Sequence, residues 1–300
     1  MNIVFSSLGA PFFAEYIARI TGKKFIRWQD VNSCRTSNNY LFLVGLYYPE
    51  NKFYKYLDNF KNIIIIFAGS DILKLNKMKI KDRDRLFLML KRKGVVFATE
   101  SPEIQKRIKE IYNLDTKIIY LPSMYDFSND CELPSKFAIG CYMPCNVSKK
   151  KSKRYFYGFS KILEVVKTMP HVDFHFYSNG GYVDIEGETK LPNFIHYKNT
   201  ITDMPLFLKN ISCGLRIVEH DTYSMSAIEY IMAGRWFINN YEMPYCEKIN
   251  HDASVDEIVD VIEDVRNRNY INIEGKKIYT LNHSVSNFNQ RIKDIFKKGK

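Results

Sequence analysis

Two carboxylates and a group of small hydroxyl side chains lie close together in the second half of the chain: Asp221, Thr222, Ser224, Ser226 and Glu229. Thr222, Ser224 or Ser226 can cap a helix whose first N–H groups have no intrahelical partner. Those amides, with the positive end of the helix dipole, form an anion site. Met225, Ile228 and Met232, with Ala227 and Ile231, recur at helical spacing, so the helix runs from this group to Gly234, which suits a left-handed C-terminal residue. Glu229 stands five residues after Ser224, roughly 7–8 Å along the axis. That is about the step from a diphosphate to the hydroxyls of its ribose, and a carboxylate there can accept both O–H groups. Asp221, ahead of the helix, points toward whatever hangs beyond the phosphate.

The elements around this group are a strand at 215–218, a polar loop at 219–223, the helix, and a second strand at 236–238. Such a unit implies parallel strands joined by a right-handed crossover. Asp221, seven residues, Glu229, then Ala233-Gly234 and a strand resembles the Glu-x7-Glu signature of retaining glycosyltransferases of family 4. The resemblance implies a GT-B fold, an α/β architecture of two Rossmann-like domains with parallel sheets facing across a cleft. It places Glu229 on the ribose and Asp221 on hydroxyls of the transferred sugar, although Asp221 is one methylene shorter than the family's glutamate. It also puts Tyr223, Ser224, Met225 and Ser226 against the donor.

The rest of the chain reads in the same idiom. A short apolar strand opens it and enters a small-residue turn at 6–11, as a Rossmann-like domain does. In the family that turn faces the donor, which makes Gly9 a donor-side residue. Residues 40–45 and 63–67 are continuous apolar runs, the pattern of strands buried on both faces. After the second comes Ala68-Gly69-Ser70-Asp71, similar to a turn of small GT-B enzymes; Asp71 either reaches the acceptor or caps the next helix. A strand–helix–strand unit at 95–121 resembles the last such unit of a GT-B N-terminal domain. The expected domains are 1–133 on the acceptor side, 134–283 on the nucleotide-sugar side, and a terminal helix, 284–300, packing back on the first.

In the second domain a strand at 137–142 precedes a cationic loop with Lys149, Lys150, Lys151, Lys153 and Arg154. The family neutralises the donor diphosphate near this place, which implies Arg154 with Lys151 or Lys153. The loop after the strand at 194–197 holds the nucleobase in the family, so Lys198 and Asn199 are the residues expected there.

Composition bounds the partners. The net charge is +11, so anionic partners are expected. The segment 74–93, opening on Lys74 and closing on Lys93, is strongly basic with interleaved Leu and Phe. It reads as a solvated helix with one buried face, or as a surface for peripheral contact with an anionic membrane. No run of eighteen apolar residues and no signal-like start is present, and six scattered cysteines read as reduced thiols, so a cytoplasmic location is expected, free or membrane-peripheral.

The family chemistry needs no obligatory metal or cofactor, and Glu219-His220-Asp221 lacks ligand spacing. No histidine lies in the first domain, where many family members carry one near the sugar. Retaining transfer survives that loss, because the departing phosphate can take the acceptor's proton. The resemblance implies a hexose donor such as GDP-mannose or UDP-glucose and a glycan or glycoprotein acceptor, with no nucleic acid. The alternatives are a nucleotide-sugar epimerase on the same fold and a basic nucleic-acid-binding protein.

Overall fold

The computed structural model describes residues 2–7, 11–33, 39–46, 57–67, 70–127, 132–144, 157–178, 181–182, 190–219 and 224–298. The chain forms two compact units, Met1–Met124 with Asn282–Lys300, and Tyr125–Leu281.

The first unit holds β1 (Asn2–Ser7), β2 (Lys24–Phe25), β3 (Asn39–Val44), β4 (Asn62–Ile66), β5 (Val96–Thr99) and β6 (Lys117–Ile118) in one sheet of order β2-β1-β3-β4-β5-β6. Every pairing is parallel. The apolar runs sit at its centre: Leu41, Phe42, Leu43 and Val44 of β3, and Ile64, Ile65 and Ile66 of β4, have no exposed surface. A strand covered on both faces needs no polar alternation. Helices α1 (Pro11–Ile20), α2 (Ser70–Asn76), α3 (Ile80–Arg92) and α4 (Pro102–Tyr112) make the connections. At the start of α4, Ser101 accepts a hydrogen bond from Ile104 N–H while Pro102 fills the first turn; Asn113 ends the helix in the left-handed conformation.

The second unit holds β7 (Ala138–Tyr142), β8 (Asp173–Tyr177), β9 (Phe194–His196), β10 (Cys213–Arg216), β11 (Trp236–Asn239) and β12 (Glu247–Lys248), ordered β12-β11-β10-β7-β8-β9 and again all parallel. Its helices are α5 (Phe159–Thr168), α6 (Met204–Leu208), α7 (Met225–Met232) and α8 (Val255–Arg268). Alternation sorts the strands' side chains. Ile139, Cys141, Phe174, Phe176, Cys213 and Leu215 join α5 and α8 in one core. Gly140, Tyr177 and Gly214 therefore lie on the opposite face, where Tyr177 packs on Phe207 of α6 at 4.9 Å and Tyr230 of α7 covers the glycines.

β10 ends at Arg216, two residues short of the end of the apolar run at 215–218. The physical reason is Asn240. Its amide accepts from Val218 N–H at 3.0 Å and donates to Val218 C=O at 2.7 Å, so a side chain replaces the ladder where β11 has already ended. The chain then passes through α9 (Ile273–Asn282) to the C-terminal α10 (Val285–Lys298). Phe288, Ile292 and Phe296, four residues apart on α10, share a core with Phe5, Phe42 and Ile64 of the first sheet. Among the described residues no helix is long and apolar enough to cross a membrane.

Candidate functional site

The start of α7 is built by its own side chains. Ser224 is the N-cap, its Oγ accepting from Ala227 N–H at 3.3 Å and lying 2.8 Å from Ser226 Oγ. Among the described residues the N–H groups of Met225 and Ser226 have no acceptor. The far end closes with Gly234 at φ +74°.

The rotation of α7 about its axis is set by Tyr230. Its ring lies over Gly214 of β10 and its hydroxyl over Gly140 of β7: a Cβ at 140 would stand 1.8 Å from Tyr230 Oη, and one at 214 would stand 2.8 Å from Tyr230 Cδ1 and 2.3 Å from Phe237 Cδ2. Two glycines on adjacent strands thus form a recess for one aromatic ring, and Phe237 closes it edge-on at 5.3 Å. Glu229, one position earlier and 100° around the helix, is carried to a buried place with 9% of its surface exposed. No described side chain pairs with its carboxyl, and burial raises its pKa from 4.5 to about 8. Such an acid stays protonated at neutral pH.

Two features beside it are not visible from residue spacing. Tyr177, at the end of β8, lies within electrostatic reach of both Glu229 and Arg216, and burial drives its phenol well above its ordinary range. Arg216, the last residue of β10, places its guanidinium 4.6 Å over the ring of Tyr157. Tyr157 packs edge-on against Tyr142 at 6.0 Å, and Tyr142 against Tyr177 at 5.7 Å. In sequence Arg216 is hidden in an apolar run, Cys213-Gly-Leu-Arg-Ile-Val218, and only its place as the last polar residue before the loop could have marked it.

At the other end of the same sheet edge, the loop after β9 borders a cavity of about 520 Å³ lined by Tyr197, Lys198, Asn199, Asp203 and Phe207 among others. Its backbone is held from behind: Tyr182 N–H donates to Tyr197 C=O at 2.7 Å, and Gly181, at φ +87°, lies so near Lys198 C=O that a Cβ would stand 1.8 Å from the oxygen. Asp203 caps α6 through Leu206 N–H at 2.9 Å. A second cavity, of about 580 Å³, includes Lys136, His171, Trp236 and Tyr270. It opens at the amino ends of the strands, the edge opposite the one where α/β sheets bind ligands.

The structure therefore brings Ser224, Met225, Ser226 and Glu229 together on α7 and sets Lys198 and Asn199 on the cavity after β9. Gly9, Lys151, Lys153, Arg154, Asp221 and Tyr223 lie outside the described residues. Asp71 has no exposed surface; it accepts from Leu46 N–H at 2.8 Å and Ile72 N–H at 3.0 Å. That geometry makes it an anchor between the residues after β3 and the start of α2, with no free carboxylate oxygen for an acceptor sugar. No group of metal-ligating side chains occurs among the described residues.

No protein-family model matches the sequence, and no curated protein matches it. Solved structures do match the fold. The lipopolysaccharide outer core galactosyltransferase WaaB, in apo form, superposes with a TM-score of 0.66 at 12% identity, covering 99% of this chain and 100% of its own. Sucrose-phosphate synthase from Thermosynechococcus elongatus gives 0.63 at 9% identity, covering 99% of each chain. S. aureus TarM, in a complex with Fondaparinux, alpha-GlcNAc-glycerol and UDP, gives 0.58 at 11% identity over 95% of this chain. This chain spans 58% of the length of TarM. At such identities the likeness is one of fold, and that fold is GT-B: two Rossmann-like units, each with a parallel six-stranded sheet.

Proposed function

We propose that the protein is a glycosyltransferase that binds a nucleoside diphosphate sugar on its second unit. The observation that carries the reading is Glu229: a buried carboxyl with no described partner, a turn and a half inside a helix whose leading amides have no acceptor among the described residues. The ribose hydroxyls donate to Glu229, and the diphosphate rests on the Met225 and Ser226 N–H groups. The base enters the cavity beside Lys198 and Asn199. Asp221 orients the sugar, and Arg154 with a neighbouring lysine adds positive charge. Transfer is retaining: the acceptor oxygen bonds to the anomeric carbon on the face from which the diphosphate leaves, and the acceptor proton passes to the departing phosphate oxygen. This route calls for no obligatory metal and no enzymic base. A hexose donor is proposed, with UDP-glucose tested ahead of GDP-mannose because TarM was solved with UDP.

Thermal denaturation with UDP, GDP, UDP-glucose and GDP-mannose tests the reading, since a ligand that binds only the folded state raises the melting point by mass action. One of the four should stabilise the wild type. Glu229→Ala should lose that response and Lys106→Ala, an exposed change on α4, should keep it. A wild type indifferent to all four, or a Glu229→Ala variant that responds in full, sinks the proposal.

A peripheral contact with anionic lipid is proposed for α3. Its inward face buries Leu86, Phe87 and Leu90, while Leu88 is 51% exposed on the outer face with Lys81, Arg85 and Arg92 seven and three residues before and four after it. Cosedimentation with phosphatidylserine vesicles should fall with added salt and with Arg85→Glu/Arg92→Glu. Equal recovery on neutral vesicles would refute it.

A further inference from the structure

We infer that Arg216 binds the donor's diphosphate, a deepening of the reading above that rests on it. The argument begins with position. Arg216 closes β10 at the carboxyl edge of the sheet, and the chain leads from it through the loop to the N-cap of α7. The next residue, Ile217, touches the start of α5. Gly158, in the left-handed conformation at φ +60°, approaches so closely that a Cβ would stand 2.8 Å from Ile217 C=O. Arg216 therefore lies beside the leading end of α5, of ten residues, on the strand whose chain goes on to the leading end of α7, of eight.

Each of those ends carries partial positive charge from its helix dipole. A guanidinium at that strand end adds positive charge on the same edge of the sheet. The arrangement suits a ligand group with two or more negative charges, which a diphosphate supplies. The second observation is Glu229, the buried acid without a described partner on the same helix. It sets the ribose about one and a half turns inward, and the adjoining phosphates then fall at the helix start beside Arg216.

The guanidinium is also held in advance. It stacks on Tyr157, which rests on Tyr142, which rests on Tyr177. A side chain already stacked loses less freedom when it forms a bidentate pair with phosphate oxygens. As the glycosidic bond breaks, the diphosphate gains negative charge, and a fixed guanidinium stabilises it without reorganising. A lysine at 216 keeps the charge and loses the planar fork.

Titration calorimetry with UDP and with GDP on the wild type, Arg216→Met, Arg216→Lys and Glu229→Ala, each at several salt concentrations, tests the inference. Arg216→Met keeps an apolar stem on Tyr157. It should weaken the diphosphate that binds wild type by on the order of 10- to 100-fold, as expected for loss of hydrogen bonds to a charged group. The slope of log affinity against log salt should also flatten, a change that a packing role would not produce. Arg216→Lys should recover part of the affinity and most of the slope. It also serves if the methionine variant does not fold. Wild-type affinity with an unchanged salt slope in Arg216→Met overturns the assignment; where that variant does not fold, full wild-type affinity in Arg216→Lys overturns it. Loss of binding in Glu229→Ala in the same series shows that the reading of the site stands apart from that of Arg216. If the wild type binds neither diphosphate, the reading of the whole site falls with it.

Discussion

Replacing Glu229 by Gln should make the protein more stable and a poorer binder of its donor. Burial raises the folded-state pKa of Glu229 from 4.5 to about 8, so the folded chain holds this proton more tightly than the unfolded chain does. Below pH 4.5 both states are protonated and the side chain costs nothing. Between pH 4.5 and 8 only the unfolded state ionises, and the penalty grows by about 1.4 kcal/mol per pH unit. At pH 7 it amounts to roughly 3 kcal/mol, and at pH 5 to less than about 1 kcal/mol. Glutamine has the same shape and no ionisation, so it removes the penalty. For a unit of this size the gain at pH 7 corresponds to a rise in melting temperature of roughly 6–12 °C. The two tryptophans provide the assay, because Trp28 belongs to the first unit and Trp236 to the second. In a Trp28→Phe background, urea unfolding followed by Trp236 fluorescence should show a Gln-minus-Glu difference that grows from pH 5 to pH 8. A difference of the same size at all pH values would refute the buried, unpaired acid.

The same carboxyl couples donor binding to protons. Ribose hydroxyls favour its ionised form and lower its pKa, so binding at pH 7 should release close to one proton; calorimetric enthalpies should then differ between phosphate and Tris buffers, and identical enthalpies would contradict the contact. Gly140→Ala should destabilise the second unit by several kcal/mol, since its Cβ would stand 1.8 Å from Tyr230 Oη; adding Tyr230→Phe should restore part of the loss, and an unaffected urea midpoint in the single variant would show that α7 is not seated there. His283 donates its Nδ1–H to Leu121 C=O at 2.7 Å, and burial lowers its pKa from 6.5 to about 4. Its folded pKa is depressed, so its contribution is whole above pH 6.5 and declines as pH falls toward 4, by roughly 2 kcal/mol at pH 5. Acid unfolding of the first unit, followed by Trp28 in a Trp236→Phe background, should become shallower in His283→Gln, and an unchanged slope would remove His283 as the cause.

Much of the architecture was legible because it rests on local rules. The isoleucine run at 63–66 needs no polar face and lies in the middle of a sheet. Ser224 and Gly234 bracket α7 as capping chemistry dictates. What was not legible depends on contacts among distant segments. Gly140 and Gly214 look like weak points in two strands until Tyr230 is seen to occupy the space they leave. Arg216 looks like a strand residue until three tyrosines from other elements are seen to carry it. Asp71 carries the same residue type whether it faces a ligand or two backbone amides, and only burial separates those roles. The end of β10 moved because an asparagine side chain, 22 residues further on, takes over the pairing of Val218.

A crystal structure with the nucleoside diphosphate that most stabilises the protein is the most direct measurement. The expected result is ribose oxygens within hydrogen-bond distance of Glu229, and phosphate oxygens on the amides of Met225 and Ser226. A nucleotide seated instead at the opposite edge of the sheet, beside Trp236 and Tyr270, would contradict the account.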